Sequence, residues 1–288
     1  MSNYCNICPN KCNALRTENN LGRCRATNEI KIAKYYLHPF EEPLISGKNG
    51  SGTVFFTGCA LRCVFCQNYE LSRNLRGKIV NPLELAEIFK ELESMGAHNI
   101  NLVTPSHYAN EIIKAFEIYT PKIPVVYNTH GYEDIETLKK LDRYISVYLP
   151  DLKFYSSEVS KRYTGLSDYF DVASKAVKFM MQSKQTVIEN GLMKSGVIVR
   201  HLILPLSAND SVEIIKWYSE NKVNNPYFSL MAQYTPFGDI DKYPELKRKI
   251  TKKEYGRALN AIENYNITDC FIQDLASSKE EYIPTWEY

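Results

Sequence analysis

From residue 52 onward, short apolar runs alternate with helix-length amphipathic stretches, and this alternation restricts the fold more than any other feature of the chain. The runs are "GTVFFTG" (52–58), "NINLVTP" (99–105), "IPVVYNTHG" (123–131), "ISVYLPDLKF" (145–154), "GVIVRHLILP" (196–205) and "YFSLMAQYTP" (227–236). The stretches that follow them are "NPLELAEIFKELESMG", "HYANEIIKAFEIY", "EDIETLKKL", "DYFDVASKAVKFMMQSK", "SVEIIKWYSE" and "KKEYGRALNAIENY". The first of these carries its own end signals: Asn81 suits the N-cap, Pro82 the first turn and Gly96 the stop. A strand followed by a helix, repeated in this way, is the pattern of a parallel sheet covered by its crossover helices. Six units fall short of the eight that close a barrel, so the expected fold is α/β, a partial (β/α)6 barrel.

The chain has 288 residues, 44% of them hydrophobic, which is enough for one large core. Residues 1–50 lie outside the rhythm and read as a small cysteine-bearing N-terminal cap, leaving 51–288 for the barrel. No solenoid-type repeat or low-complexity linker interrupts it. A net charge of +2 gives no electrostatic reason to expect nucleic acid or an anionic membrane as partner. The opening "MSNYCNICPNKC" has no apolar core of a signal peptide, and no 18 apolar residues run together. A cytoplasmic protein is the expectation.

The eight cysteines fall into Cys5, Cys8, Cys12 and Cys24, then Cys59, Cys63 and Cys66, with Cys270 alone. That grouping suits metal sites better than disulfides in a long chain from a reducing compartment. A four-iron cluster normally takes four thiolates. The CxxxCxxC run in "TGCALRCVFCQN" supplies three from one loop, which leaves an iron open to a small ligand. Radical chemistry with S-adenosylmethionine uses such a vacancy. A zinc site would more often show paired CxxC knuckles, and buried structural cysteines need no fixed spacing. The first group provides four thiolates, sufficient for a closed site of zinc or of an auxiliary iron–sulfur cluster, and spacing does not separate the two. Cys270, in the apolar "CFIQD", reads as core.

These residues resemble the radical SAM superfamily, and within it the branch similar to the pyruvate formate-lyase activating enzyme. The resemblance is carried by "EEPLISG", "GTVFFTGCALRCVFCQNYELS", "VTPSHY", "YNTHGYE", "LPDLKFY" and "MAQYTPFG", and spans nearly the whole chain. It implies a [4Fe-4S] cluster on Cys59, Cys63 and Cys66, S-adenosylmethionine at the C-terminal ends of the strands, and a reductant such as flavodoxin or ferredoxin. It also implies a hydrogen-abstracting enzyme whose substrate is a glycyl radical protein. A small molecule or peptide is the alternative substrate, and a non-catalytic electron carrier or metal scaffold the alternative class.

Contacts to the nucleoside follow from the same resemblance. In the family a Gly-Gly-Glu stretch after the second strand meets the methionyl amino group; here the position reads "VTPSH", so Thr104 and Ser106 stand there, or else cap the next helix. Asn128 and Thr129 match the ribose-contacting segment, Asp151 and Lys153 the "DLK" of the fourth strand, and Arg200 and His201 a basic pair on the fifth. Asp151 and Lys153 also read as an ordinary ion pair. Phe65, between two cluster cysteines, either shields the cluster and stacks on adenine or packs in the core. Gln67 and Asn68 read as bonding the loop's own backbone, and His38 and His98 as surface or packed residues.

Overall fold

The computed structural model describes residues 4–277. Its strands are β1 (Ile30–His38), β2 (Ser51–Phe56), β3 (Lys78–Val80), β4 (Ile100–Val103), β5 (Val125–Thr129), β6 (Val147–Pro150), β7 (Val187–Glu189), β8 (Leu192–Leu202), β9 (Tyr227–Met231) and β10 (Cys270–Ile272). They form one sheet in the order β10-β9-β8-β6-β5-β4-β2-β1-β3, with β7 paired to β8. The six expected strands are β2, β4, β5, β6, β8 and β9, and they lie side by side in chain order, all parallel. Every residue of β2, β4, β5 and β6 is buried, as a sheet covered on both faces requires. Among the described residues the sheet ends at β3 and β10 without joining, so the barrel is open.

The helices are α1 (Pro43–Ser46), α2 (Tyr69–Asn74), α3 (Pro82–Ser94), α4 (Ala109–Ile118), α5 (Ile135–Leu141), α6 (Ser157–Thr164), α7 (Tyr169–Ser183), α8 (Ala208–Asn221) and α9 (Lys252–Asn264). Helix α3 starts where its sequence says it should. Asn81 Oδ1 accepts the Glu84 N–H at 2.9 Å while Glu84 Oε2 accepts the Asn81 N–H at 2.8 Å, a reciprocal cap. Its apolar stripe of Leu85, Ile88, Phe89 and Leu92 is buried. Thr251 and Glu254 cap α9 in the same way.

The sheet begins earlier than the sequence boundary at residue 51. Strand β1 pairs antiparallel with β2, from Ile32 opposite Phe56 to His38 opposite Ser51, and so part of the stretch read as a cap belongs to the sheet. Residues 4–29 contain no helix or strand, only an isolated bridge between Thr17 and Asn20, and lie against the loop that follows β2. Of the two expected units, residues 1–3 of the first and 278–288 of the second lie outside the described residues.

Candidate active site

A cavity of about 540 Å³ opens at the C-terminal ends of the parallel strands, the end at which barrel enzymes carry their chemistry. One wall is the loop after β2, with Cys59, Cys63 and Cys66. The lining also collects Thr104, Asn128, Thr129, Asp151, Lys153 and Arg200 from the ends of β4, β5, β6 and β8. Strand β1 and the segment after it add Lys34, Tyr36, His38, Pro39, Phe40 and Glu41 to the lining.

The cysteine loop is held in shape by its neighbours. Gly58 turns it at φ +86, and a Cβ there would stand 2.8 Å from the Cys24 carbonyl oxygen. Val64 donates its N–H to Tyr163 O at 3.0 Å and accepts the Asp239 N–H at 2.8 Å. Gly238, at φ +90, lies so close that a Cβ would meet Val64 O at 2.3 Å. Phe65 is buried edge-on to Phe154, Tyr163 and Tyr234 while still lining the cavity, so it anchors the loop and faces the ligand space together.

Loss of solvent pushes the Cys59 thiol up to about 11 and raises those of Cys63 and Cys66. Opposing this, Cys59 accepts the backbone N–H groups of Leu61 and Arg62, Cys66 those of Asn68 and the Ser72 hydroxyl, and the Lys153 ammonium acts favourably on all three. Backbone donors and one cation aimed at sulfur stabilise thiolates, which a metal requires of its ligands. The donor set therefore fits an iron–sulfur cluster held by three thiolates. Among the described residues no group of three or more Cys, His, Asp or Glu stands ready around a single ion.

The polar wall is one connected network. Arg200 donates from Nε to Asp151 Oδ1 at 2.8 Å, from Nη2 to Asn128 Oδ1 at 2.7 Å and from Nη1 to Glu41 Oε2 at 3.3 Å. Asn128 Nδ2 returns a bond to Glu41 Oε1 at 3.1 Å, and Lys153 Nζ reaches Asp151 Oδ2 at 2.6 Å. Burial alone would raise the Asp151 pKa, but Arg200 and Lys153 outweigh it and hold the carboxyl below the usual range. Arg200 spends three of its five N–H donors on these side chains, and Lys153, which also lines the cavity, spends one of its three. Thr104 sits at φ +56, an outlying conformation for a β-branched residue, tied by its N–H to Asn128 O at 2.8 Å.

Two expected contacts are not brought to the cavity. Ser106 is buried beneath it and donates to Glu133, as do Thr129 and, at 3.3 Å, Tyr127. His201 Nδ1 bonds Leu152 O at 2.8 Å and Nε2 bonds the Ser211 hydroxyl at 2.9 Å, so its role is to join β8 to its neighbours. Residues the sequence reading passed over take their place. Glu41, within the quoted "EEPLISG", completes the network, and His130, within "YNTHGYE", lines the cavity. His130 Nδ1 accepts the Tyr132 N–H at 3.2 Å. Its neutral ring therefore carries hydrogen on Nε2, a buried donor with no partner among the described residues. Burial lowers its pKa to about 4, with Lys153 adding to the effect, so it stays neutral at pH 7.

Cys5, Cys8, Cys12 and Cys24 lie outside this cavity, in the irregular segment against the back of the cysteine loop. Cys8 and Cys24 are buried and Cys12 is exposed. Cys270, in β10, is half-buried. Among the described residues no helix is long and apolar enough to cross a membrane.

Comparison with known proteins agrees with this architecture. The family model for the radical SAM superfamily matches residues 53–225, which run from β2 through α8. An uncharacterised protein of Methanocaldococcus jannaschii is 30% identical over 272 residues, covering 91% of this chain and 75% of the relative. Among solved structures, Streptococcus suis SuiB bound to S-adenosylmethionine is similar at a TM-score of 0.52 and 16% identity, over 77% of this chain and 50% of SuiB. SuiB bound to the precursor peptide SuiA is similar at 0.50 and 14% identity, over 75% and 46%. The chain spans about half the length of SuiB, and at this identity the likeness speaks for the fold. The matched family model covers more than half of the chain, and the chain belongs to the radical SAM superfamily.

Proposed function

We propose that the protein cleaves S-adenosylmethionine reductively and removes a hydrogen atom from a glycine of a partner polypeptide. The observation that carries the first half is that Cys59, Cys63 and Cys66 and the polar strand ends line one cavity. Cys59, Cys63 and Cys66 would hold a cluster that, kept reduced by a one-electron donor such as flavodoxin or ferredoxin, would supply the electron for that cleavage.

The chain's own residues bind, orient and exclude water. Lys153, fixed by Asp151, presents a cation suited to the carboxylate of the methionyl group. Asn128 and Thr129 line the cavity at the end of β5, the amide held by Arg200 and Glu41 and the hydroxyl by Glu133, and His130 Nε2 offers a donor with no partner among the described residues. Phe65, Leu61 and Met231 keep part of the wall apolar and close it against solvent. The activase-like motifs support a polypeptide substrate, and the mouth formed by Tyr36, His38 and Phe40 gives an extended segment aromatic surface to lie on. Cys5, Cys8, Cys12 and Cys24 supply donors enough for a second centre, of zinc or an iron–sulfur cluster.

The test is anaerobic reconstitution with iron and sulfide, then dithionite and S-adenosylmethionine. Formation of 5′-deoxyadenosine is expected; its absence from protein with an intact cluster defeats the cleavage reading. Incubation with a glycyl radical enzyme should then give a carbon-centred EPR signal, and none with any such protein leaves a peptide or small molecule as the substrate.

A further inference from the structure

The segment 4–29 has no regular secondary structure; it is held by hydrogen bonds and by Cys8, Cys24 and Ala26, which pack into the main core. Segments this short rarely order without a crosslink or metal. Its four cysteines have the surroundings of ligands. Cys8 sulfur accepts from the Asn10 backbone N–H and, at 3.7 Å, from Asn10 Nδ2. Cys24 sulfur accepts the Ala26 N–H, two residues on in the same way. Lys11, Asn13 and Arg25, each next to a cysteine in sequence, take left-handed backbone conformations at φ +38, +49 and +58, which turn successive amides into a concave donor surface. Gly22 lies against Cys12 and Ala14, so that a Cβ there would stand 2.6 Å from the Cys12 sulfur, and Cys5 donates its N–H to Ala14 O at 2.9 Å, which lays the stretches bearing Cys5, Cys12 and Cys24 side by side.

The same segment grips the cysteine loop from behind. The Cys59 N–H donates to Cys24 O at 3.3 Å, so a residue of one thiol group bonds the backbone of a residue of the other. Arg23 donates from Nε to Ala60 O at 2.9 Å and from Nη2 to Leu61 O at 3.4 Å and to Thr164 O. Asn10 Nδ2 reaches Ala60 O at 3.4 Å. Arg16, buried, ties the segment's base to the first turn after β4 by donating to His107 O at 2.6 Å. These bonds take up the carbonyls of Ala60 and Leu61, while the N–H groups of Leu61 and Arg62 point at the Cys59 sulfur.

We propose that a metal centre on Cys5, Cys8, Cys12 and Cys24 is the brace of the cysteine loop: it fixes Cys24, Arg23 and Asn10 so that Cys59, Cys63 and Cys66 keep the spacing a cluster needs. This rests on the cluster reading of the loop. The centre is closed by protein thiolates and touches no substrate.

The test compares wild type, Cys12→Ser and Arg23→Gln after anaerobic reconstitution, by iron, sulfide and zinc content and by EPR of the reduced protein. The loop cluster is recognised as the signal that changes when S-adenosylmethionine is added. Cys12→Ser, at an exposed position, should lose the N-terminal metal, and its S-adenosylmethionine-sensitive signal should decay in chelator about ten-fold faster or more, the effect seen when outer partners of a metal site are removed. Arg23→Gln should keep the N-terminal metal and show the same loss. Hydrogen exchange over residues 57–68 reads the brace without any loop cluster, and should quicken in both variants. Wild-type decay and exchange in Cys12→Ser lacking its N-terminal metal would overturn the proposal, as would wild type with no metal beyond that lost in Cys59→Ala. A wild type without any S-adenosylmethionine-sensitive signal would count instead against the cluster reading, and the exchange data would still decide the brace.

Discussion

Lys153 and Arg200 share one carboxylate: Asp151 accepts from Lys153 Nζ at 2.6 Å on Oδ2 and from Arg200 Nε at 2.8 Å on Oδ1. All three side chains are less than a fifth exposed, so Asp151 bridges two cations in a site shielded from water, with Glu41 as a second anion beside Arg200. A pair so enclosed is an electrostatic fixture whose removal strands charge, unlike a surface bridge. Asp151→Asn should therefore destabilise the fold by about 3 kcal/mol, the lower part of the range for breaking a buried pair, since Arg200 still has Glu41 and Asn128. Denaturant unfolding measures it. A loss under about 0.5 kcal/mol would show that the network is hydrated like a surface pair.

Lys153→Met separates binding from stability. Asp151 keeps Arg200, and the methionine fills much of the same volume, so the midpoint of unfolding should change little. S-adenosylmethionine affinity should fall by about ten-fold, equivalent to 1.4 kcal/mol for one lost charge-assisted bond. Calorimetry on the reconstituted protein reads the affinity, and unaltered binding would remove Lys153 from the ligand's contacts.

Glu133 predicts a pH dependence that no sequence pattern announces. It is buried, and desolvation carries its pKa up to about 7 despite hydroxyl donors from Ser106, Thr129 and Tyr127. Because the folded value lies above the unfolded one near 4.5, the protonated carboxyl's contribution is complete below about pH 4.5 and is lost as pH rises toward 7. Stability should decline by up to about 3 kcal/mol across that window, and Glu133→Gln should flatten the decline. Unfolding at pH 5 and pH 8 for both proteins checks it; equal slopes would mean that Glu133 stays ionised throughout.

The parallel order of β2, β4, β5, β6, β8 and β9 was legible because strands buried on both faces are written as near-continuous apolar runs, and helices such as α3 announce their caps. Strand β1 was not, since "IKIAKYYLH" has one side facing the cavity mouth and mixes Lys and Tyr with its apolar residues. The short β3, β7 and β10 are three residues each, below the length at which periodicity means anything. At the site, the spacing of Cys59, Cys63 and Cys66 spoke for itself, as did polar residues at strand ends. What the sequence could not give was side-chain direction. Adjacent residues on a strand face opposite ways, so Arg200 enters the cavity while His201 turns to Ser211. Glu41 comes from far along the chain to reach Arg200, and only the pairing of β1 with β2 brings it there.

Gly238 supplies the last prediction, because it joins the far end of the barrel to the cysteine loop. Its φ of +90 is costly for any other L-residue, and a Cβ would press on Val64 O at 2.3 Å, two residues from Cys66 and one from Cys63. Two costs follow from Gly238→Ala. The backbone strain is about 1–2 kcal/mol, and the clash can be relieved only by moving a carbonyl in the middle of the CxxC half of the motif, since Val64 O is also the acceptor for Asp239 N–H. The fold has many other contacts to absorb the first cost, whereas the second falls directly on the carbonyl between Cys63 and Cys66. Gly238→Ala should therefore remain folded by circular dichroism, with a modestly lower Tm, yet bind less loop-cluster iron than wild type after identical reconstitution. Full iron and an unchanged S-adenosylmethionine-sensitive EPR signal would show that the loop tolerates the shift, and that its shape is set from the N-terminal side alone.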